Sequence, residues 1–280
     1  LNATASLATT LHAQGEYDHA RPLKEQVIDA YRRLLGDEHP DTINAIASLG
    51  ATLHAQGEYD HVQTMSEQVL DAYRRLLGDE HPHTLNAIAN LASTLHAQGK
   101  YDHAQTMTEQ VLDARRRLLG DEHPDTITTI ATLAATLHAQ GQYDHARALK
   151  EQVLDARRRL LGDEHPDTLN ATANLAITLH AQGEKGRAHS LLLDALTTSQ
   201  RVYGKKNTVT SGVAWQLVSL LDAPHEANRK KSVVIENLSW LSKEPPSQLS
   251  GEQKSIRERI KGFIFRGGKP ANRRPSKRKK

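Results

Sequence analysis

Between residues 43 and 77 the apolar positions fall into two runs at three- and four-residue steps. Ile43, Ile46, Leu49, Gly50 and Leu53 mark one face of a helix from about Pro40 or Thr42 to Gln56. Tyr59, Val62, Met65, Val69, Ala72, Leu76 and Leu77 mark one stripe of a second helix, from about Tyr59 to Leu77. That spacing is the period of an amphipathic helix, not of a strand. Gly57 and Gly78 stand just past the two runs, where a left-handed residue ends a helix. Acidic Glu58 and Asp60 open the second helix, and Arg74 and Arg75 lie near its end, both favourable to the helix dipole.

The pattern repeats along the chain. "TLHAQG" occurs at 10–15, 52–57, 94–99 and 136–141, and "ITLHAQG" at 177–183, at a spacing of 42 residues. Residues 85–126 and 127–168 share 32 of 42 positions, and four and a half near-copies fill roughly 1–204. A helix pair with so little apolar surface buries its face only against its neighbours, so the units must stack.

One stretch invites a chemical reading. "LLGDEHPDT" stands at 34–42, 118–126 and 160–168, and at 76–84 with His83 in place of Asp. Asp, Glu and His so close together could serve acid–base or metal chemistry. However, Gly36, Gly78, Gly120 and Gly162 end the second helices, and Pro40, Pro82, Pro124 and Pro166 sit where a missing N–H at a helix start costs nothing. The stretch recurs with the period of the backbone, whereas an active site is normally single. We read it as a structural joint whose acids and histidine cap helix ends.

The stretch "NAIANLASTLHAQGKYDHA", followed by a long second helix and the joint, resembles the tetratricopeptide repeat in its 42-residue kinesin-light-chain form. The small–large pattern of that family maps onto Gly50, Leu53, Val62 and Val69, then onto Ala92, Leu95, Ala104 and Val111. The resemblance covers about three quarters of the chain. It implies an all-α fold: a right-handed superhelical solenoid of stacked helix-turn-helix units. One departure stands out. The paired asparagines of kinesin-type repeats are replaced by Ala47–Ser48, Ala89–Asn90 and Ala131–Thr132, so a kinesin-like cargo specificity is not carried over.

The resemblance also places the inner, concave wall on the first helix of each pair. Its candidate partner-binding residues are Asn44, Ala47, Ala51 and His54, then Asn86, Ser93 and His96, then Thr128 and His138, and finally Asn170 and His180. These form a smooth wall of small residues with one Asn/Thr ladder and one His ladder. Protonating the His row near its ordinary pKa of about 6.5 is expected to make the wall cationic.

Composition narrows the chemistry further. Cysteine is absent, which removes disulfides, thiolate ligands and cysteine nucleophiles. Sixteen histidines raise the question of a metal, but zinc needs ligand atoms about 2 Å from one centre and adjacent helices lie roughly 8–10 Å apart. No phosphate-binding loop, G-x-S-x-G or H-E-x-x-H is present. No catalytic residue, cofactor or metal is therefore assigned, and the chain is read as non-enzymatic. No apolar run approaches the ~20 residues that span a bilayer. Tyr17, Tyr59, Tyr101 and Tyr143 are expected to pack between the helices of their own units.

Beyond about residue 206 the repeat degrades. Residues 207–243 keep a first-helix spacing at Ala214, Leu217, Val218 and Leu221 and a second-helix stripe at Val233, Val234, Leu238 and Leu241. We read them as a degenerate sixth repeat serving as a cap, with Trp215 and Trp240 closing its core. Residues 244–265 supply a linker with Pro245–Pro246 and a last amphipathic helix with Ile256, Ile260, Phe263 and Ile264 on one face.

Charge divides the chain in the same place. Residues 251–280 hold 12 Lys/Arg and 2 Glu, a net of +10, which leaves 3 − 10 = −7 for residues 1–250. The tail 266–280, with Arg273, Arg274, Lys277, Arg278, Lys279 and Lys280, is expected to be disordered. It is a solubilising tail, a nuclear-import signal if the source is eukaryotic, or a contact for a polyanion.

The leading reading is a scaffold that binds a peptide or partner protein in its concave groove. Two others stay open: the sensing or oligomerising arm of a larger signalling NTPase, and a nuclear or nucleic-acid-associated adaptor acting through the tail. The opening on Leu1 in mid-pattern suggests a piece of a longer protein. A cytoplasmic location is expected, or a nuclear one in a eukaryote.

Overall fold

The computed structural model describes residues 1–221 and 226–265, with side chains through 261. The tail lies outside the described residues, and the Phe263 and Ile264 side chains of the last amphipathic face outside the described side chains. Clustering of the backbone divides the chain into two compact units, 1–191 and 192–280, parting within one helix.

The first unit is a stack of antiparallel helix pairs: α1 (Asn2–Ala13) with α2 (Tyr17–Leu35), α3 (Pro40–Gln56) with α4 (Tyr59–Leu77), α5 (Pro82–Ala97) with α6 (Tyr101–Leu119), and α7 (Pro124–Ala139) with α8 (Tyr143–Leu161). Then come α9 (Pro166–Ala181) and the start of α10 (Lys185–Tyr203). From α1 to α9 each helix packs on the next along the chain, the arrangement of a tetratricopeptide solenoid. From α2 to α6 the core is one continuous cluster that includes Ile43, Leu53, Val69, Leu85, Ile88 and Val111.

The joint carries its own hydrogen bonds. Arg32 Nε donates to Asp37 at 2.9 Å, and Thr42 Oγ1, buried, donates to Gly36 O at 2.7 Å. His39 Nδ1 accepts from Asp41 N–H at 3.2 Å and so caps α3, whose first residue is Pro40. The same cap recurs at His81, His123 and His165. Glu38, Glu80 and Glu122 reach forward to Arg75, Arg117 and Arg159 of the following pair, at 3.0, 2.8 and 2.9 Å. The polar residues of the first joint are thus engaged in ending, starting or aligning helices, whereas at two later joints the buried hydroxyls of Thr126 and Thr168 have no hydrogen-bond partner.

The other turn is equally determined. Gly57 has φ +82°, and Glu58 N–H returns to Leu53 O at 3.0 Å, the long backbone bond of a Schellman end. Gln56 Nε2 then donates to Asp18 of the preceding pair at 2.8 Å, and Gln98, Gln140 and Gln182 repeat the bond to Asp60, Asp102 and Asp144. Each tyrosine of this turn packs on the histidine before it, His54 and Tyr59 lying 5.1 Å apart between ring centres.

The paired leucines at the ends of the second helices do not extend the core. Leu34, Leu76, Leu118 and Leu160 are 46–73% exposed. The buried stripe of α4, read through Leu76 and Leu77, therefore ends at Tyr73, and the last turn before the joint is exposed.

In the second unit α11 (Thr208–Leu220), α12 (Ala227–Asn237) and α13 (Gly251–Phe265) enclose Leu217, Leu221, Leu238, Leu241 and Ile260, all nearly inaccessible to solvent. Two 3-10 turns, Ser239–Ser242 and Pro246–Gln248, connect α12 to α13. The tryptophans stand at the rim of this core, not at its centre. Trp215 lies under Arg259 and Trp240 under Lys206, each half-buried.

Candidate functional site: the wall of first helices

The first helix of each pair presents an exposed stripe almost free of charge. Asn44, Ala51 and Ala55 are exposed on α3, Asn86, Asn90, Ser93 and Ala97 on α5, Thr128, Ala135 and Ala139 on α7, and Asn170 on α9. Ala47 is half-buried beside this stripe. Small side chains leave the helices uncovered, so an extended chain can approach their backbones closely.

The asparagines are held by side chains from the second helices. Arg115 Nη2 donates to Asn86 Oδ1 at 2.6 Å. Because guanidinium can only donate, this bond holds the amide by its oxygen and leaves the NH2 group of exposed Asn86 available to donate. Tyr73 hydroxyl bonds Asn44 Oδ1 at 2.7 Å in the same register. Thr128 differs: its hydroxyl returns to Pro124 O at 2.8 Å. The Asn/Thr ladder is therefore a row of oriented donors at two pairs and a self-satisfied hydroxyl at a third.

The histidines lie half-buried between successive first helices. His12 Nδ1 pairs with Thr52 Oγ1, His96 with Thr136 and His138 with Thr178, each at 3.1 Å. Burial lowers the pKa of all three, with Lys24 adding to the effect at His12 and Lys150 at His138. Protonation is thereby moved away from neutrality, contrary to a row that charges near pH 6.5. His54 Nε2 and His180 Nε2 are buried atoms without a hydrogen-bond partner.

Positive charge reaches the wall from elsewhere. Lys24 Nζ donates to Ser48 O at 2.7 Å, and Lys150 Nζ to Thr178 Oγ1 at 2.7 Å and Asn174 O at 3.1 Å. Arg115 adds Thr129 Oγ1 at 2.7 Å and Asp125 O to its bond with Asn86. The three are 6–9% exposed, and among the described residues none forms a salt bridge. Burial pulls the Lys150 pKa down to about 8 and lowers those of Lys24 and Arg115.

These cations are not visible in the helical periodicity, since charged residues on an amphipathic helix are ordinarily assigned to its solvent face. Their signal is a break in the repeat. Position 24 reads Lys24, Ser66, Thr108 and Lys150 in successive pairs, and position 31 reads Tyr31, Tyr73, Arg115 and Arg157. Among the described residues no group of three or more His, Asp or Glu side chains could hold a metal ion, and no helix is long and apolar enough to cross a membrane.

Comparison with known proteins matches this architecture. No curated protein sequence matches the chain. Among solved structures, the nearly identical TPR-like repeats of a Podosopora anserina kinesin light chain candidate align with a TM-score of 0.61 and 28% identity. The alignment covers 72% of this chain and 96% of that one. BtubC (BKLC) of P. vanneervenii aligns at 0.63 with 16% identity over 94% and 97% of the two chains. A Rap protein complexed with competence and sporulation factor aligns at 0.59 with 10% identity over 94% and 74%. The sequence profile of the tetratricopeptide repeat matches residues 1–75, 63–117, 86–159 and 125–201. With overlapping matches from Leu1 to Arg201, and helix pairs stacked at a 42-residue period, the chain belongs to the tetratricopeptide repeat family, with repeats of the kinesin-light-chain type.

Proposed function

We propose that the wall of first helices in residues 1–191 binds an extended, acidic segment of a protein partner, without catalysis. The observation that carries this reading is the amide of exposed Asn86, held through its oxygen by buried Arg115, within a stripe of small exposed residues. Oriented NH2 groups donate to peptide carbonyls or carboxylates. Lys24 and Lys150 are offset by neutral oxygens, and Arg115 by neutral oxygens and the nearby Asp125 carboxylate, so the two lysines supply the wall with a positive field that complements acids. The tetratricopeptide fold is one typical of protein–protein interaction, and the Rap relative of the same fold was solved with competence and sporulation factor bound.

The test is selection from a random peptide library on the intact chain and on a wall variant, Ala51→Gln, Ser93→Gln, Ala135→Gln. Glutamine is a good helix former, so the variant keeps its helices while its long side chains obstruct close approach. Selected peptides should be enriched in Asp and Glu and bind the variant at least tenfold more weakly. Equal affinity for the folded variant would contradict a concave site.

A further inference from the structure

The leucines that end the second helices form a surface of their own, away from the wall. Leu34, Leu76, Leu118 and Leu160, together with the leucine that follows each, are 40–73% exposed. Jointly they present the surface of about four fully exposed leucines. Packing within the chain does not account for them, since the buried stripe of α4 ends at Tyr73, before its leucine pair. The four pairs share one edge of the stack. Glu38 bonds Arg75 at 3.0 Å, so the joint that follows Leu34 and Leu35 touches the residue just before Leu76. The bonds of Glu80 to Arg117 at 2.8 Å and of Glu122 to Arg159 at 2.9 Å repeat that link to Leu118 and Leu160.

We propose that this leucine ridge is a self-association surface, on which the ridges of two copies of the chain pack against each other about a two-fold axis. Area, period and charge together select a second copy as the occupant. At on the order of 100 Å² of apolar surface per leucine, the ridge offers about 400 Å². Each partner in a standard interface contributes about 800 Å², a little over half of it apolar, so the leucines supply most of that share. The ridge repeats once per helix pair, at the 42-residue period of the chain. A partner without that period meets one leucine pair and leaves the rest in water, whereas a second ridge covers several at once. The flanks are already neutralised. Arg32 bonds Asp37 at 2.9 Å, Arg74 bonds Asp79 at 3.1 Å, and the same pair recurs at Arg116 and Arg158. Two ridges therefore meet without bringing unbalanced like charges together.

Sedimentation of the full chain over a concentration series tests the assignment. The average mass should rise from one chain to two, with an affinity that salt changes little, because apolar contact is not screened. Replacing Leu34, Leu76, Leu118 and Leu160 with glutamine strips the ridge at exposed positions and keeps good helix formers there. Helicity and the urea midpoint should hold, while the dimer weakens by at least about tenfold. Leu76→Glu alone, which sets a charge on each ridge, should weaken it in the same direction. Ile235→Gln removes a comparably exposed apolar residue from the second unit and should leave the dimer unchanged. A chain that stays monomeric at every concentration overturns the proposal, as does a dimer that survives the four glutamines or weakens equally with Ile235→Gln. A dimer that salt dissolves and removal of residues 266–280 abolishes also overturns it, since the contact then belongs to the basic tail.

Discussion

Lys150 is the residue whose environment is most at odds with its charge. Its ammonium is buried against Thr178 and Asn174, and its pKa falls to about 8 from an ordinary 10.5. The folded chain therefore releases this proton before the unfolded chain does. Stability should rise as pH climbs from about 8 towards 10.5, because the unfolded state binds more protons across that interval. Below about 8 both states are protonated, and the buried charge costs on the order of 3 kcal/mol. Lys150→Met should be more stable than the parent at pH 7 and should lose most of the alkaline rise, as read from urea midpoints between pH 7 and 10. For His12, His96 and His138 the window is acidic. Their pKa values lie below 6.5 in the fold, so the unfolded chain takes up protons first and stability falls as pH drops below about 6.5.

At the scale of the helix, identical substitutions at two glycines should act in opposite directions. Gly50 lies inside α3 with open space at its Cβ position, so Gly50→Ala should stabilise by about 0.5–1 kcal/mol. Gly57 ends the same helix at φ +82°, where a side chain costs about 1–2 kcal/mol, so Gly57→Ala should lower the urea midpoint. Helix ends were legible in the sequence for this reason: Gly57, Gly78 and Pro82 impose backbone states that few other residues satisfy. Partners were less legible. Periodicity marks the buried face of a helix but not which neighbour covers it, so the inter-pair bonds of His96 and His138 could not be read from spacing. Nor does a charged residue announce that its stem is buried, as those of Lys24 and Lys150 are. The candidate wall residues Asn44, Ala51, Asn86, Ser93, Thr128 and Asn170 are exposed on one helix of each pair, but the hold of Tyr73 and Arg115 on their amides is a tertiary fact.

Across the first unit, the same few bonds link each pair to the next. Gln98 meets Asp60, Arg117 meets Glu80 and His96 meets Thr136, and each bond recurs at other junctions of the stack. Such an array is close to one-dimensional, so each pair is aligned by its neighbours and the wall is assembled from successive first helices. The exposed ion pairs contribute little individually, about 0–1 kcal/mol each, and serve mainly to fix register. A binding site spread over such a wall must therefore be contacted along the first helices. The direct measurement is photo-crosslinking of a library-selected peptide to intact chains carrying a small diazirine side chain at Ser93, on α5, or at Gln110, exposed on α6. Crosslinking from position 93 with little or none from 110 is the expected result. Efficient crosslinking from 110 with none from 93 would place the partner on the second helices and contradict the concave site.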